Sequence, residues 1–313
     1  MTEYDIPWKE IFDKFLKEFL QFCLPDVHDG IDWNQEVENK EQELPKLFPN
    51  SLAKGRVADK LFRAKIKGSD QPKWFMIHAE VQVSRESNFS ERVFTCFYRI
   101  LDRFQEPVVC IGVIADSSPT WRPGSWEQEF LGCKVSFSYP IVKLRDYQDK
   151  LELLEDSSNP FATVILSHLK AQDSSGQLDD RFRYKIELVK SLYQKQWDAE
   201  SVRNLFRFID WIIDLPEELE LQFKDEVRGI ELENQMPYVT SIERLAKLEG
   251  KLEGKLEGKL EGKLEGRLAG QIQLLQEILG LTVVSDENLQ QLSIDEQNQM
   301  LRELRGQFQS DKR

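Results

Sequence analysis

Residues 74–86 read WFMIHAEVQVSRE, and their alternation constrains the fold more than any other stretch of the chain. Ile77, Ala79, Val81 and Val83 fall on one parity, and His78, Glu80, Gln82 and Ser84 on the other. A β-strand sends alternate side chains to opposite faces. One face is therefore apolar core, and the other carries a carboxylate and an amide two residues apart. That polar face has two readings, a solvated surface or a site. Just upstream, GRVADKLFRAKIKGSDQPKW supplies a second strand and a turn around Gly68–Pro72, so the whole region reads as a β-hairpin.

The flanking segments place this hairpin in an α/β fold. Residues 8–23 carry Trp8, Ile11, Phe12, Phe15, Phe19 and Phe22 near helical spacing. Residues 34–47 read as a further helix with Asn34 as its cap. NFSERVFTCFYRILDRF, 88–104, is strongly helical, and PVVCIGVIAD, 107–116, is apolar on both parities, as in a strand covered on both faces. VSFSYPIVKL, 135–144, reads as another strand, with Pro140 favouring an edge or a bend. Past residue 159 the strand patterns stop. Asn159-Pro160 has the cap-then-proline signature of a helix start. Helices follow over about 180–194 and 201–214, the latter with an apolar stripe through Val202, Leu205, Phe206, Ile209, Ile212 and Ile213. The expected architecture is a mixed central sheet flanked by helices over residues 1–150, an all-helical extension over 151–240, a repeat segment over 241–270 and a small helical tail over 271–313. In that tail Ser293 and Glu296 have capping-box spacing.

Asp59 lies on the first hairpin strand and Glu80 on the second, and antiparallel pairing of this length brings the two together. Paired carboxylates on adjacent strands suit a hard divalent cation, which takes oxygen ligands plus water and phosphate. Gln82, next on the same face, is placed to orient a water or to contact a scissile phosphate. Residues 54–67 carry Lys54, Arg56, Lys60, Arg63, Lys65 and Lys67 against Asp59 alone, and the following helix adds Arg92, Arg99 and Arg103. Such a basic rim suits a phosphate backbone, or else it is a solvated charged strand. The net charge of −13 excludes a surface-wide nucleic-acid binder but not a local groove. No Walker A loop, G-x-G-x-x-G or zinc-ligand spacing occurs, and His28, His78 and His168 stand far apart. Cys23, Cys96, Cys110 and Cys133 form no C-x-x-C pair and read as buried free thiols of a reducing compartment. With no basic-apolar leader and no long apolar window, the expectation is a cytoplasmic protein that does not engage a membrane.

The order helix, Asp strand, Glu-x-Gln strand, helix, apolar strand resembles the PD-(D/E)XK nuclease superfamily. More narrowly, it resembles the Rpn family of recombination-promoting nucleases and transposase-like proteins. The pieces that carry the likeness are ADKLFRAKI (58–66), IHAEVQ (77–82), ERVFTCFYRILDRF (91–104), PVVCIGVIAD (107–116), FSYPIVKL (137–144) and NPFATVILSHLKA (159–171). The resemblance implies a metal-dependent DNA endonuclease linked to recombination or transposition. Asp59 and Glu80 would hold Mg²⁺ or Mn²⁺, and Gln82 would stand where the superfamily has its lysine. It also marks Arg92 and Tyr98 as positions of the family core. Arg92 has the chemistry to bind a phosphate or a site carboxylate, or to make an ordinary helix-surface ion pair. Lys54, Arg63 and Lys67 are the candidate DNA contacts, and Glu43 is a further acidic candidate. The alternative is an inactive module of the same fold that binds DNA or protein and assembles through its repeats.

Those repeats are five copies of KLEG at 247–266. Glycine at every fourth position costs about 1 kcal/mol each relative to alanine. Like charges also recur at i, i+4, so an isolated helix is weak. On a helical wheel the leucines form one slowly turning stripe, with Lys on one flank and Glu on the other. A parallel pair sets Lys flanks against Glu flanks, which makes a homodimer through 247–266 the expectation. A monomeric helix braced by its neighbours and an irregular linker are its alternatives. Sedimentation of the full chain and of a chain ending at Ile242 tests this: the first is expected to run as a dimer and the second as a monomer. Two monomers refute the pairing.

Overall fold

The computed structural model describes residues 5–47, 59–68, 73–195, 197–234, 268–285, 289 and 294–310. Lys54, Ser293 and the KLEG repeat at 247–266, with the dimer expected through it, lie outside the described residues. The chain divides into two compact units, Met1–Val239 and Thr240–Arg313.

In the first unit, the amphipathic start forms α1 (Asp5–Cys23), kinked at Phe15, followed by the short α2 (Pro25–Asp29). The helix expected over 34–47 is instead a two-residue strand β1 (Glu38–Asn39), a 3-10 turn (Glu41–Glu43) and a four-residue helix α3 (Leu44–Leu47). Tertiary pairing overrides the local pattern here. Glu38 and Asn39 pair with Arg63 and Phe62, and the Lys40 amide donates to the Leu61 carbonyl at 2.7 Å.

The hairpin forms as its alternation requires, with β2 (Asp59–Lys65) antiparallel to β3 (Trp74–Gln82). Helix α4 (Phe89–Phe104) follows and returns the chain to β4 (Val108–Ile114), which runs parallel to β3. Pro140 divides the next expected strand. Its first part, β6 (Cys133–Ser138), pairs with β5 (Ser125–Phe130) in a separate two-stranded hairpin. Its second part, β7 (Ile141–Lys143), joins the main sheet beside β4. The main sheet has the order β1-β2-β3-β4-β7 and is mixed, so the fold is α/β with a mixed sheet.

From Trp74 onward only the first residue of β3 is not fully buried, and this identifies it as a central strand with both faces covered. Helix α4 lies over the face that holds Met76, His78 and Glu80. Its Phe89, Val93, Cys96 and Ile100 pack on Leu61, Met76, Cys110 and Ile114. Burying each apolar side chain of that stripe contributes roughly 2 kcal/mol. The β5/β6 hairpin crosses the back of α4, with Trp126 stacked on Phe94 at 4.3 Å.

Beyond the sheet come α5 (Leu151–Asp156), α6 (Pro160–Asp173), α7 (Leu178–Gln194), α8 (Ala199–Ile212) and α9 (Glu217–Asn234). Asn159 caps α6 by accepting from the Phe161 amide at 2.8 Å. An aromatic cluster of Trp8, Phe12, Phe19, Phe161 and Phe208 joins α1 to α6 and α8. In the second unit, α10 (residues 268–278) and α11 (Ile294–Ser310) share a core of Leu268, Ile272, Leu289, Leu301 and Leu304. Among the described residues, no helix is long and apolar enough to cross a membrane.

His168 locks α6 to the end of β4. Its Nε2 lies 2.7 Å from the Ala115 carbonyl, and Gln172 donates to the same oxygen at 2.8 Å. Burial lowers the His168 pKa from 6.5 to about 4, with the Ala115 bond acting in the opposite sense. A depressed folded-state pKa means that its stabilising contribution is complete above pH 6.5 and is lost as pH falls toward 4. The full window corresponds to roughly 3 kcal/mol. Urea denaturation at pH 7, 5.5 and 4.5 is expected to show a stability gap between wild type and His168→Gln that narrows with falling pH. A gap independent of pH refutes the assignment.

Candidate functional site

The hairpin register sets Asp59 directly opposite Glu80. Glu80 belongs to the face of the sheet that α4 covers, so the polar row of β3 is not a solvated surface. His78, Glu80 and Gln82 are all buried, at 0%, 0% and 1% exposure. A carboxylate withdrawn from water at such a position needs a cation and hydrogen bonds to stay ionised.

Arg92, one turn into α4, supplies them. Its Nε donates to Glu80 Oε1 at 2.5 Å, and one terminal nitrogen donates to Gln82 Oε1 at 2.8 Å. The other terminal nitrogen reaches Glu86, on the loop that leaves β3. A guanidinium is suited to this because its donors are fixed in one plane. Burial alone lowers the Arg92 pKa, but the Glu80 and Glu86 carboxylates outweigh it and raise the value above that of an ordinary arginine. For Glu86, burial acts to raise the pKa, while Arg92 prevails and holds it below the usual glutamate value. The Glu86 side chain is 42% exposed and that of Arg92 12%, so the clamp runs from the core to solvent. The Gln82 amide is engaged at both ends, since Nε2 donates to the Ser84 carbonyl at 2.8 Å.

Gly112 lies beside Glu80 on β4. A Cβ there would meet atoms of Phe89, Tyr139 and Ile141, each at 3.3 Å. The missing side chain lets two aromatic rings close over the sheet next to the clamp.

The other candidates stand apart. Tyr98 is exposed on α4 beside Phe94 and receives a 3.3 Å hydrogen bond from Arg99. Glu43 pairs with Lys46 at 2.7 Å, and this partner lowers its pKa. Arg63 binds Glu106 through Nε at 2.9 Å and stacks over Trp74 at 4.5 Å. Lys60 is buried against Asp13 at 2.6 Å and also reaches Glu41, and Lys65 lies 3.8 Å from Asp32. Among the described cations of 54–67, Lys60, Arg63 and Lys65 are therefore matched by carboxylates from other segments. Lys67 is exposed at the hairpin turn, about 26 Å along the strand from Asp59.

The sequence reasoning passed over three groups near this face. Glu86 carries no periodic signal because it sits in a loop. Asp116 and Lys143 form a buried ion pair at 2.5 Å at the ends of β4 and β7. Cys96 follows Arg92 by four residues on the same face of α4, a spacing that could have placed it under the helix next to β3. The expectation of uniformly buried thiols holds for Cys96 and Cys110. It fails for Cys133, which is exposed at the turn of the β5/β6 hairpin, and Cys23 is intermediate.

The donor set suits a hard cation to this extent: Glu80 and Asp59 are register partners that offer carboxylate oxygens, while Arg92 already shares Glu80. Removing Arg92 leaves a buried charge without its cation, and Arg92→Leu is expected to cost about 3–5 kcal/mol. Glu80→Leu combined with Arg92→Leu should cost less than the sum of the two by roughly 1–3 kcal/mol. Denaturant midpoints of the four proteins measure this coupling, and strict additivity refutes the clamp. No family model, curated protein or solved structure matches this chain, and what the site does is read from its own residues.

Proposed function

We propose that the chain is a PD-(D/E)XK-like nuclease of the Rpn type that hydrolyses DNA phosphodiester bonds with Mg²⁺ or Mn²⁺ held by Asp59 and Glu80. The observation that carries this reading is the register: an acidic residue on β2 stands opposite a glutamate on the central strand, with Gln82 next along the same face. Such an ion supplies an activated water and neutralises charge on the phosphoryl oxygens. The chain's own residues do the rest. The Arg92 guanidinium donates to Glu80 Oε1, the kind of contact that favours the charged form of a buried carboxylate. Arg92 keeps its hold on Gln82 and Glu86, and so has partners if the charge on Glu80 is shared. Gln82, with its amide fixed at both ends, is a rigid neutral contact and not a mobile proton carrier.

A specific observation favours a second reading. Glu80 is fully buried and already paired with the Arg92 guanidinium. That arrangement also suits an inactive module that keeps the fold for binding DNA or protein. DNA binding in either reading draws on Lys54 and Lys67 more than on Arg63, whose charge Glu106 engages.

A supercoiled-plasmid nicking assay separates the two. The expected result is nicking with Mg²⁺ or Mn²⁺, none in EDTA, and a loss of roughly 100-fold or more in Asp59→Ala and in Glu80→Gln. Activity that persists in EDTA sinks the metal reading, and DNA binding without cutting establishes the second. In a salt titration of DNA affinity, Lys54→Glu with Lys67→Glu should reduce the log–log slope by about 0.9 for each lost phosphate contact. An unchanged slope shows that these lysines are only solvated.

A further inference from the structure

His78, Glu80 and Cys96 bring an imidazole nitrogen, a carboxylate oxygen and a sulfur within 4.8 Å of one another. All three residues are fully buried. Two come from β3 and one from α4, so the cluster sits in the layer that fastens the helix to the sheet. The nuclease reading uses neither His78 nor Cys96. We propose that these three side chains bind one transition-metal ion of the Zn²⁺ class. The site differs in chemistry from the hard-cation site at Asp59 and Glu80 and shares only Glu80 with it.

The donor types decide the class of metal. Mg²⁺ and Ca²⁺ take oxygen ligands almost exclusively. A mixed nitrogen, oxygen and sulfur set selects Zn²⁺, Fe²⁺ or Co²⁺. In a tetrahedral zinc site, bond lengths of about 2.0–2.3 Å place the donors about 3.3–3.8 Å apart. Donors that already lie within 4.8 Å close to that geometry by side-chain movements of about 1.5 Å or less. Three protein donors are a sufficient set, and a tetrahedral ion would take its fourth ligand from water. Arg92 holds Glu80 through Oε1, an outer contact of the kind that fixes the charge and orientation of a metal-binding carboxylate. On coordination the Cys96 thiol gives its proton to solvent, and no oxidation or reduction occurs. The bound ion would tie α4 to the central strand.

The alternative is a metal-free polar cluster that only packs. Chelator-stripped full-length protein titrated with Co²⁺ in the absence of DNA distinguishes them. The expected result is one tightly bound Co²⁺ per chain, with thiolate-to-cobalt charge-transfer absorption and visible bands of tetrahedral intensity. Zn²⁺ should bleach both, and excess Mg²⁺ should leave them unchanged. Cys96→Ala and His78→Gln should each weaken Co²⁺ binding by more than about tenfold at unchanged far-ultraviolet circular dichroism. Cys133→Ser, at an exposed position, should leave it intact. If one of the two ligand variants does not fold, the other together with the wild-type spectrum carries the test. Absence of the charge-transfer band, its survival in a folded ligand variant, or displacement of Co²⁺ by Mg²⁺ overturns the proposal. None of these readouts involves DNA cleavage. A protein that gives the cobalt spectrum but nicks nothing refutes the nuclease and keeps this site, and the converse result does the reverse.

Discussion

A glutamate in the middle of a fully buried strand is the constraint around which this structure is arranged. An unpaired carboxylate there costs several kcal/mol, so the fold must deliver a cation to one point above β3. Arg92 does this from α4, and reaching Glu80, Gln82 and Glu86 together fixes the height and rotation of that helix. With the rotation fixed, Phe89, Val93, Cys96 and Ile100 fall on the sheet, and Phe94 and Phe97 face the β5/β6 hairpin. The bare surface of Gly112 makes room for Phe89 and Tyr139 at the same level. Polar and apolar contacts thus specify the same docking, and such agreement across levels is what favours one packing over its neighbours.

The parts legible in the sequence are those whose signal is local. The alternation of 74–83, the two-sided apolarity of 107–116 and the stripe of α4 each follow from one period, and each element forms where its period places it. The register of Asp59 against Glu80 was legible for the same reason: two strands and a short turn leave few ways to pair. What was not legible depends on distant partners. β1 exists because β2 offers it an edge. β5 reads as polar SWEQEF and becomes a strand only through its pairing with β6 across a turn in which Leu131 and Gly132 adopt positive φ. The basic run of 54–67 has the composition of a phosphate-binding strand. Among its described residues, Lys60, Arg63 and Lys65 are instead met by Asp13, Asp32, Glu41 and Glu106, in segments that no pattern within the strand announces.

The clamp also shows how stability and chemistry compete at one residue. A cation bound at Glu80 and the guanidinium of Arg92 claim the same carboxylate. If Glu80 were the sole partner of Arg92, admitting a metal would strand a buried guanidinium, and the cost would exclude the ion. Arg92 has two further acceptors, the Gln82 amide oxygen and the Glu86 carboxylate, and Glu86 is partly open to water. Sharing Glu80 then leaves Arg92 paired and only shifts charge toward the solvent end of the clamp. In the proposed metal reading, Glu86 would be the residue that keeps Arg92 paired while Glu80 is shared with a second cation, and the packing of α4 would then be linked to the chemistry of the central strand.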